Sequence, residues 1–373
     1  MFSRIELKKY DFKLILYVVT LSVIGIFAVG SAQESVQTKQ IAGVVAGFIF
    51  MIIISIFNYS FLLKMNWLMY LANLILLLAV FLFGDEGHGA QRWLEIGSLR
   101  FQPSETAKIL LILFFAQFIM KYKEKFNSFR IIASCVLLIL IPWALIVKQP
   151  DLSTSILLIV VFCMIMYTAG LYYRIIFGIL AVVIPAFLVA LFIVMRGDIE
   201  IIQSYQLDRI NAWRFPEEYA TTEALQSLNS VMAIGSGQLN GKGYKNNELT
   251  SVKNGNFYSE AQTDFIFAVI GEEFGFKGSV VVIVLIGLIS LECLSVARKA
   301  KDLAGTIIAA GMGTLVAFQG FINIGVATFL LPNTGLPLPF VSYGLTSLMS
   351  LYMGMGFVLN VRLQARERSS SDD

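Results

Sequence analysis

Long runs of apolar residues, separated by short polar turns, make up most of the chain between residues 14 and 361. Most runs are about 20 residues long, the length that a helix needs to cross the hydrocarbon core of a bilayer. The pattern predicts ten membrane spans, at residues 14–32, 40–57, 66–83, 104–120, 131–147, 152–170, 175–195, 265–297, 303–330 and 341–361. We therefore expect an all-α polytopic membrane protein that forms a single integral membrane domain over residues 1–373.

Two of these runs need a closer look. The eighth run is too long for one simple crossing, and its glycines, Gly271, Gly275 and Gly278, predict a short broken helix before the span proper. The first run follows Lys8 and Lys9 and has small residues at its end, as a signal peptide does. Because a second span follows at once, we expect an uncleaved first span.

Composition supports the membrane assignment and excludes several other classes. Only 14% of the residues are charged, against about a quarter in soluble domains. The three cysteines all lie in apolar runs and the single histidine, His88, lies in a polar loop, so we expect no disulfide framework and no zinc or haem site. The basic residues lie at helix ends rather than in a patch, which argues against a nucleic-acid partner.

Lysine and arginine are distributed unequally between the two sides of the membrane. If the N-terminus is inside, the short outer loops hold only Lys39, Arg92, Arg100 and Lys148, and the inner segments hold many more. The positive-inside rule then places both termini in the cytoplasm, including a short tail at 363–373. The long stretch at 196–264 becomes a large extracytoplasmic loop between spans seven and eight.

Ionisable groups at membrane depth are costly and by default mark a functional site. Glu105 and Lys108 lie three residues apart at the start of the fourth span, on one helix face. One interpretation is an ion pair that fixes helix packing, and the other is the polar wall of a substrate cavity. Both roles are compatible.

Three further polar residues lie at or within predicted spans. Asp151 opens the sixth span, where it is either a helix cap or a substrate-binding group. Gln319 and Asn323 are four residues apart and share a helix face, which favours hydrogen bonding between helices. We retain all three as candidate substrate-binding residues.

Asp264 is the carboxylate with the most direct chemical interpretation. It ends the long loop and directly precedes an apolar run that begins at Phe265. An aspartate in this position is commonly a cap, but at a membrane boundary it can also accept a proton from a substrate hydroxyl. We predict Asp264 to be the catalytic residue.

Basic residues on the same side of the membrane suit an anionic, phosphate-bearing substrate. The candidates are Arg92, Arg209 and Lys242, although each alone is an ordinary solvated side chain. The glycines of 235–243 form no complete phosphate-loop motif. From the residues alone, we infer a site that processes or moves an amphipathic, anionic substrate. They do not distinguish between three classes of protein: a polymerase, a transporter and a receptor.

Five strings occur in one order along the chain. They are His88-Gly-Ala-Gln-Arg-Trp93, Phe101-Gln-Pro-Ser-Glu105 with Lys108, Lys148-Gln-Pro-Asp-Leu152, Glu260-Ala-Gln-Thr-Asp-Phe-Ile-Phe267 with Gly271-Glu-Glu-Phe-Gly275, and Pro332-Asn-Thr-Gly-Leu-Pro-Leu-Pro-Phe-Val-Ser-Tyr-Gly344. Together they resemble the SEDS family of bacterial cell-wall proteins, named for shape, elongation, division and sporulation. The short tails and Tyr205-Gln-Leu-Asp-Arg209 are more similar to the elongation branch than to the division branch.

The resemblance implies a SEDS-type fold of ten spans and a peptidoglycan glycosyltransferase that polymerises lipid II at the outer leaflet of the bacterial plasma membrane. It places the family's essential aspartate at Asp264 and its polar pair at Glu105 and Lys108. Ser342, in the last string, joins the candidate substrate-binding residues. The implied partner is a class B penicillin-binding protein, the transpeptidase that crosslinks the new strand.

One departure concerns the residues before the aspartate. The family commonly has Pro-Glu-Ala-His-Thr-Asp where this chain has Ser259-Glu-Ala-Gln-Thr-Asp264, so a mechanism that needs an imidazole there is weakened. Any metal would be a hard ion such as Mg²⁺ or Mn²⁺, held partly by substrate oxygens, and no organic cofactor is expected. A lipid II flippase and a non-catalytic scaffold for the transpeptidase remain the alternatives.

Overall fold

The computed structural model describes residues 10–87, 90–96, 99–178, 181, 204–245 and 261–365. Helices dominate this part of the chain. They are α1 (Phe12–Ala32), α2 (Glu34–Ile56), α3 (Tyr59–Leu62), α4 (Asn66–Phe83), α5 (Pro103–Lys121), α6 (Phe129–Lys148), α7 (Leu152–Thr168), α8 (Ser204–Arg214), α9 (Leu225–Ser236), α10 (Ile266–Lys299), α11 (Leu303–Ala327) and α12 (Leu345–Leu363).

The helices confirm the predicted membrane architecture. Seven helical segments in the described residues are long and apolar enough to cross a bilayer: α1, α2, α3 with α4, α5, α6, α10 and α11. The apolar helix α7 is shorter, and α12 extends over 19 residues. The predicted span at 175–195 lies mostly outside the described residues, as does the tail from residue 366, so the count of ten spans stays a prediction.

The helices form a bundle with three central members, α5, α11 and α12, and 15 of the 19 residues of α12 are buried. In the most apolar 18-residue stretch of each helix, 78% of the residues are buried in α5 and 72% in α11, whereas only 22% are buried in α6. Peripheral helices expose their apolar side chains where lipid would surround them. Polar side chains on α5 and α11 therefore face other protein groups rather than lipid, which lowers the cost of placing them at membrane depth.

A small antiparallel sheet, which the hydrophobic pattern did not predict, lies between α4 and α5. Strands β1 (Asp85–Gly87), β2 (Ala90–Ile96) and β3 (Leu99–Phe101) pair in the order β1-β2-β3. Arg100 and Glu95 form an exposed ion pair across β2 and β3, with 2.8 Å between Arg100 Nε and Glu95 Oε1. The strands are too short to show a clear alternation of apolar and polar residues in the sequence.

Helix α10 is broken at Gly275, as the glycines of the eighth run predicted. Gly275 has φ 65° and ψ −160°, a backbone conformation that is essentially restricted to glycine. The residues after the break, from Lys277 to Lys299, span about 33 Å as a helix, which matches the hydrocarbon core of a bilayer. The residues before it form a short buried helix that follows Asp264.

The Gly-rich segment 237–243 fills this break. A broken helix leaves carbonyl groups unpaired before the break and N–H groups unpaired after it. The segment supplies partners for both kinds of group: Phe276 N–H donates to Gln238 O (2.8 Å), Lys277 N–H to Leu239 O (3.3 Å), Lys242 N–H to Glu272 O (3.0 Å) and Gly243 N–H to Glu273 O (3.0 Å). These glycines therefore serve backbone packing within the fold.

The last two helices differ from their predicted bounds. We expected spans at 303–330 and 341–361, but α11 ends at Ala327 and α12 begins at Leu345. Phe329, two residues after the end of α11, and Phe340, within the segment between the two helices, have positive φ values that an α-helix does not contain. The intervening residues 328–344 form a partly buried loop that packs beside the start of α10.

Candidate functional site

The polar pair of α5 is a buried ion pair. Pro103 occupies the first turn of the helix, where a missing N–H costs nothing, and Glu105 and Lys108 follow on one face. Lys108 Nζ lies 2.8 Å from Glu105 Oε1, and the two side chains are 1% and 2% exposed. Lys108 also donates to Gln319 Oε1 of α11, at 3.1 Å. The pair thus links α5 to α11.

Gln319 and Asn323 act together on the loop 328–344. Gln319 Nε2 donates to Pro337 O at 3.0 Å, and Asn323 Nδ2 donates to Leu336 O at 2.7 Å. Their spacing of four residues places them on one face of α11, about 6 Å apart along the helix axis. The interhelical hydrogen bond predicted for these residues is present for Gln319, through Lys108.

Asn323 also holds the backbone of Asp264. Its Nδ2 donates to Asp264 O at 2.8 Å, in addition to its bond with Leu336 O. Asp264 is half-buried and directly precedes the first turn of α10. At Gly335, where φ is 74°, an added Cβ would lie 3.3 Å from Asp264 Oδ2. The carboxylate therefore lies against the loop backbone at a position where glycine leaves room.

Ser342 joins the same two segments. Its Oγ donates to Thr263 O at 2.6 Å and accepts from Leu338 N–H at 2.7 Å. Next to it, Tyr343 N–H donates to Gln262 O at 2.8 Å. Residues 262–264 are thus fixed along the loop by a row of hydrogen bonds, and Ser342 contributes to this row through its hydroxyl. The backbone of Gln262, at the position where the family commonly has histidine, forms part of this row.

Three side chains that the sequence did not single out for the site hold the loop from its other sides. Ser153 of α7 donates to Thr334 O, Trp213 Nε1 of α8 donates to Phe329 O at 3.2 Å, and Ser230 Oγ of α9 donates to Ala327 O at 2.6 Å. Arg209, which was predicted, donates to Asn333 O at 3.2 Å. No periodicity marks such contacts. Two of the four acceptors, Asn333 and Thr334, lie in the Pro332–Gly344 string, and the other two lie three and five residues before it.

Asp151 is a helix cap, as one interpretation held. Its Oδ1 accepts from Thr154 N–H at 3.1 Å, at the start of α7. Its Oδ2 accepts from Ser104 Oγ at 3.2 Å, which ties α7 to the first turn of α5 beside Glu105. Arg92 of β2 donates to the carbonyl groups of Gln149 and Pro150, immediately before the cap. Both residues therefore border the site and stabilise the turn between α6 and α7.

Lys242 lies at the break of α10. Its Nζ pairs with Glu272 Oε1 at 2.9 Å, and the neighbouring Glu273 accepts from Ser31 Oγ of α1. These contacts make Lys242, Glu272 and Glu273 part of the packing around the Gly-rich segment. The substrate-binding role predicted for Lys242 stays a prediction.

The described residues bring most of the predicted site together. One hydrogen-bonded network connects Glu105, Lys108, Gln319, Asn323, Asp264 and Ser342, and Arg209 contacts the same loop. Chemically, the network presents a half-buried carboxylate on a fixed backbone and a buried cation neutralised by its partner. Within the described part of the chain, no three His, Cys, Asp or Glu side chains converge as metal ligands.

A family model described as cell cycle protein, covering FtsW, RodA and SpoVE, matches residues 10–367. The chain belongs to this family. Membership confirms the resemblance to the SEDS proteins drawn from the five strings, and it makes the protein a multi-pass membrane protein.

Curated members of the FtsW/RodA/SpoVE family are similar over most of the chain. Peptidoglycan glycosyltransferase MrdB of Escherichia coli strain K12 is 36% identical over 303 residues, which cover 81% of this chain and 79% of that protein. Probable peptidoglycan glycosyltransferase FtsW of Bacillus subtilis strain 168 is 31% identical over 373 residues, which cover 96% and 91%.

Solved structures share the fold. The crystal structure of the rod shape determining protein RodA of Thermus thermophilus matches with a TM-score of 0.71 and 26% identity, covering 96% of this chain and 98% of that chain. A chain from a structure described as showing structural coordination of polymerization and crosslinking by a peptidoglycan synthase complex matches with a TM-score of 0.76 and 26% identity, covering 95% and 97%. The SEDS-type polytopic fold is confirmed.

Proposed function

We propose that this protein is a peptidoglycan glycosyltransferase that polymerises lipid II into glycan strands in the membrane, for cell elongation and shape. The observation that carries the proposal is the placement of Asp264, a half-buried carboxylate whose backbone is clamped by Asn323 against the loop 328–344. The names of the MrdB and FtsW relatives support the same activity.

The proposed reaction joins two lipid-linked sugars. Asp264 takes the proton of the acceptor's sugar hydroxyl, and the hydroxyl oxygen forms a bond to the donor's anomeric carbon. The bond between that carbon and the lipid diphosphate breaks, and the diphosphate leaves with the electron pair. A general base typically contributes about 10²–10⁴-fold, so positioning and charge stabilisation must supply the rest.

The structure gives the most support to a contribution from positioning, because hydrogen bonds fix the backbone of the segment that carries Asp264. The Asp264 carbonyl, Thr263 carbonyl and Gln262 carbonyl all accept hydrogen bonds from the loop or from α11. A catalytic group on a segment fixed at three successive residues loses little conformational freedom when substrate binds. We therefore assign Asn323 and Ser342 the role of positioning the catalytic segment, beside their predicted contact with substrate.

The departing diphosphate needs positive charge. We assign a contribution to Arg209, which is half-buried and contacts the loop at Asn333, beside the predicted contribution of Lys108. A planar guanidinium suits phosphate oxygens. A Mg²⁺ or Mn²⁺ ion remains part of the proposal only as an ion held largely by the diphosphate, since the described carboxylates form no cluster of ligands. Chelation with EDTA in the polymerisation assay tests it.

The decisive experiment is polymerisation of lipid II by purified protein in detergent. We expect Asp264→Asn, which keeps the shape of the side chain but removes its basicity, to lower the rate at least 100-fold. The matched control is Glu223→Gln, which neutralises an exposed carboxylate on the same loop and should leave the rate unchanged. Retained polymerisation in Asp264→Asn would remove this carboxylate from the role of base.

The same assay separates the alternatives. Glycan strands made in detergent, where no bilayer exists, require a polymerase, and neither a flippase nor a scaffold would produce them. A protein that makes no strands alone but makes them with a transpeptidase added would need its partner for activity. We propose a class B penicillin-binding protein as that partner, and we propose that both termini lie in the cytoplasm.

A further inference from the structure

A cavity of about 640 Å³ opens between α1 and α10, beside the break at Gly275. Ile24 and Phe27 of α1 form one wall, and Ile270, Phe274 and Val281 of α10 form the other. Asn240, within the segment that fills the break, and Tyr244, directly after that segment, complete the lining. Its size is in the range of pockets that hold small ligands.

Aromatic contacts fix the position of Tyr244 in the wall of this cavity. The ring of Tyr244 meets Phe27 edge-on, with 5.8 Å between centroids, and stacks with Phe274 at 6.4 Å. Offset and edge-to-face pairs of this kind are attractive beyond the area that they bury. The cavity is therefore a built concavity of the fold rather than a flat apolar surface.

Polarity changes with depth in the cavity. Lys277 is exposed at the rim, where its Nζ donates to Asn240 Oδ1 at 2.8 Å, and it is the one charged residue among the lining residues in the described chain. Val281 lies one helical turn deeper, about 6 Å along the axis. Lys277 also begins the segment of α10 that matches the hydrocarbon core, which places it at the level of lipid headgroups.

We propose that this cavity binds one anionic phospholipid of the surrounding leaflet, with its phosphate at Lys277 and one acyl chain between α1 and α10. The position of a cation above an apolar cleft matches the position of a phosphate above an acyl chain. The cavity shares none of its lining residues with the hydrogen-bonded network around Asp264, which argues for a bound lipid other than the reacting one.

The test uses purified protein in nanodiscs of phosphatidylglycerol and phosphatidylcholine in equal amounts, and native mass spectrometry of the lipid that remains bound after release. We expect one retained phosphatidylglycerol, preferred about fivefold over phosphatidylcholine, as one cation at an anionic headgroup provides. Lys277→Gln should abolish this preference, and Val281→Trp, which adds an indole ring to the apolar wall of the cavity, should lower total retained lipid at least fivefold.

Two matched variants serve as controls. Lys39→Gln removes an exposed lysine in the second turn of α2, and Val284→Trp enlarges an exposed residue of α10 that does not line the cavity. Both should retain lipid as the parent protein does. Equal retention in all five proteins would overturn the proposal. Displacement of phosphatidylglycerol by an equal amount of undecaprenyl phosphate would also overturn it, because the site would then belong to a prenyl carrier.

Discussion

The buried pair of Glu105 and Lys108 allows the structural and catalytic roles of one site to be separated. Both side chains are at most 2% exposed, so removing one partner leaves an uncompensated charge in the bundle. Such a change typically costs about 3–5 kcal/mol. In the described structure, Glu105 Oε2 has no hydrogen-bond partner, and Glu105 Oε1 accepts from Lys108. Lys108→Met would therefore leave the buried Glu105 carboxylate without its cation. We expect Lys108→Met to destabilise the protein more than the single change Glu105→Leu does.

The double variant, Glu105→Leu with Lys108→Met, should recover most of this stability. It removes both charges and leaves mainly Gln319 Oε1 without its donor, a loss of about 1–3 kcal/mol for a neutral group. Thermal unfolding in one detergent provides the stability measurement, and lipid II polymerisation provides the activity measurement. Arg100→Ala is the control, because its ion pair with Glu95 is exposed and should contribute less than about 1 kcal/mol.

Two results would refute this reasoning. If the double variant unfolds as easily as Lys108→Met, an uncompensated charge is not the cause of the loss. If the double variant is stable and polymerises lipid II at the parent rate, the ion pair serves packing alone and its predicted contact with substrate is wrong. Recovery of stability without recovery of activity would support both roles.

Two further substitutions test the positioning of Asp264 and the break in α10. Asn323→Asp keeps the shape of the side chain but replaces the donor to Asp264 O and Leu336 O with an acceptor. We therefore expect kcat to fall at least tenfold while KM changes less than threefold. An unchanged kcat would contradict the positioning role. Gly275→Ala should destabilise the protein by about 1–3 kcal/mol in thermal unfolding, since its φ of 65° with ψ of −160° suits glycine alone. The control is Gly287→Ala, in the regular part of the same helix, where no atom lies within 4 Å of the added Cβ. It should stabilise the protein by up to about 1 kcal/mol. A change of stability in the same direction at both sites would argue against a strained break.

Apolar runs alone determined the class of this protein and the approximate position of its helices. A bilayer leaves a segment few options, because each backbone polar group must find its partner within the helix. The break at Gly275 was also predicted from the sequence, since glycine acts locally on the backbone. The sheet between α4 and α5 was missed because its strands are three to seven residues long.

The candidate site was predictable as residues but not as a geometry. Charge at membrane depth marked Glu105, Lys108 and Asp264, yet the sequence offered only competing roles for each. Tertiary structure decided that Asp151 caps α7, that Lys242 pairs with Glu272, and that Gln319 and Asn323 bind a loop. Apart from the local cap, these contacts join residues that are 13 to 30 positions apart in the chain, so only the folded bundle brings the partners together.

Sequence therefore determined what must be buried in lipid, since hydrophobic periodicity and length are local properties. Only the tertiary structure decided where the irregular loop 328–344 lies, and which side chains satisfy it. The physical reason is that a non-helical segment inside a membrane bundle is stable only when neighbouring helices supply its hydrogen bonds. The position of Asp264 follows from that requirement.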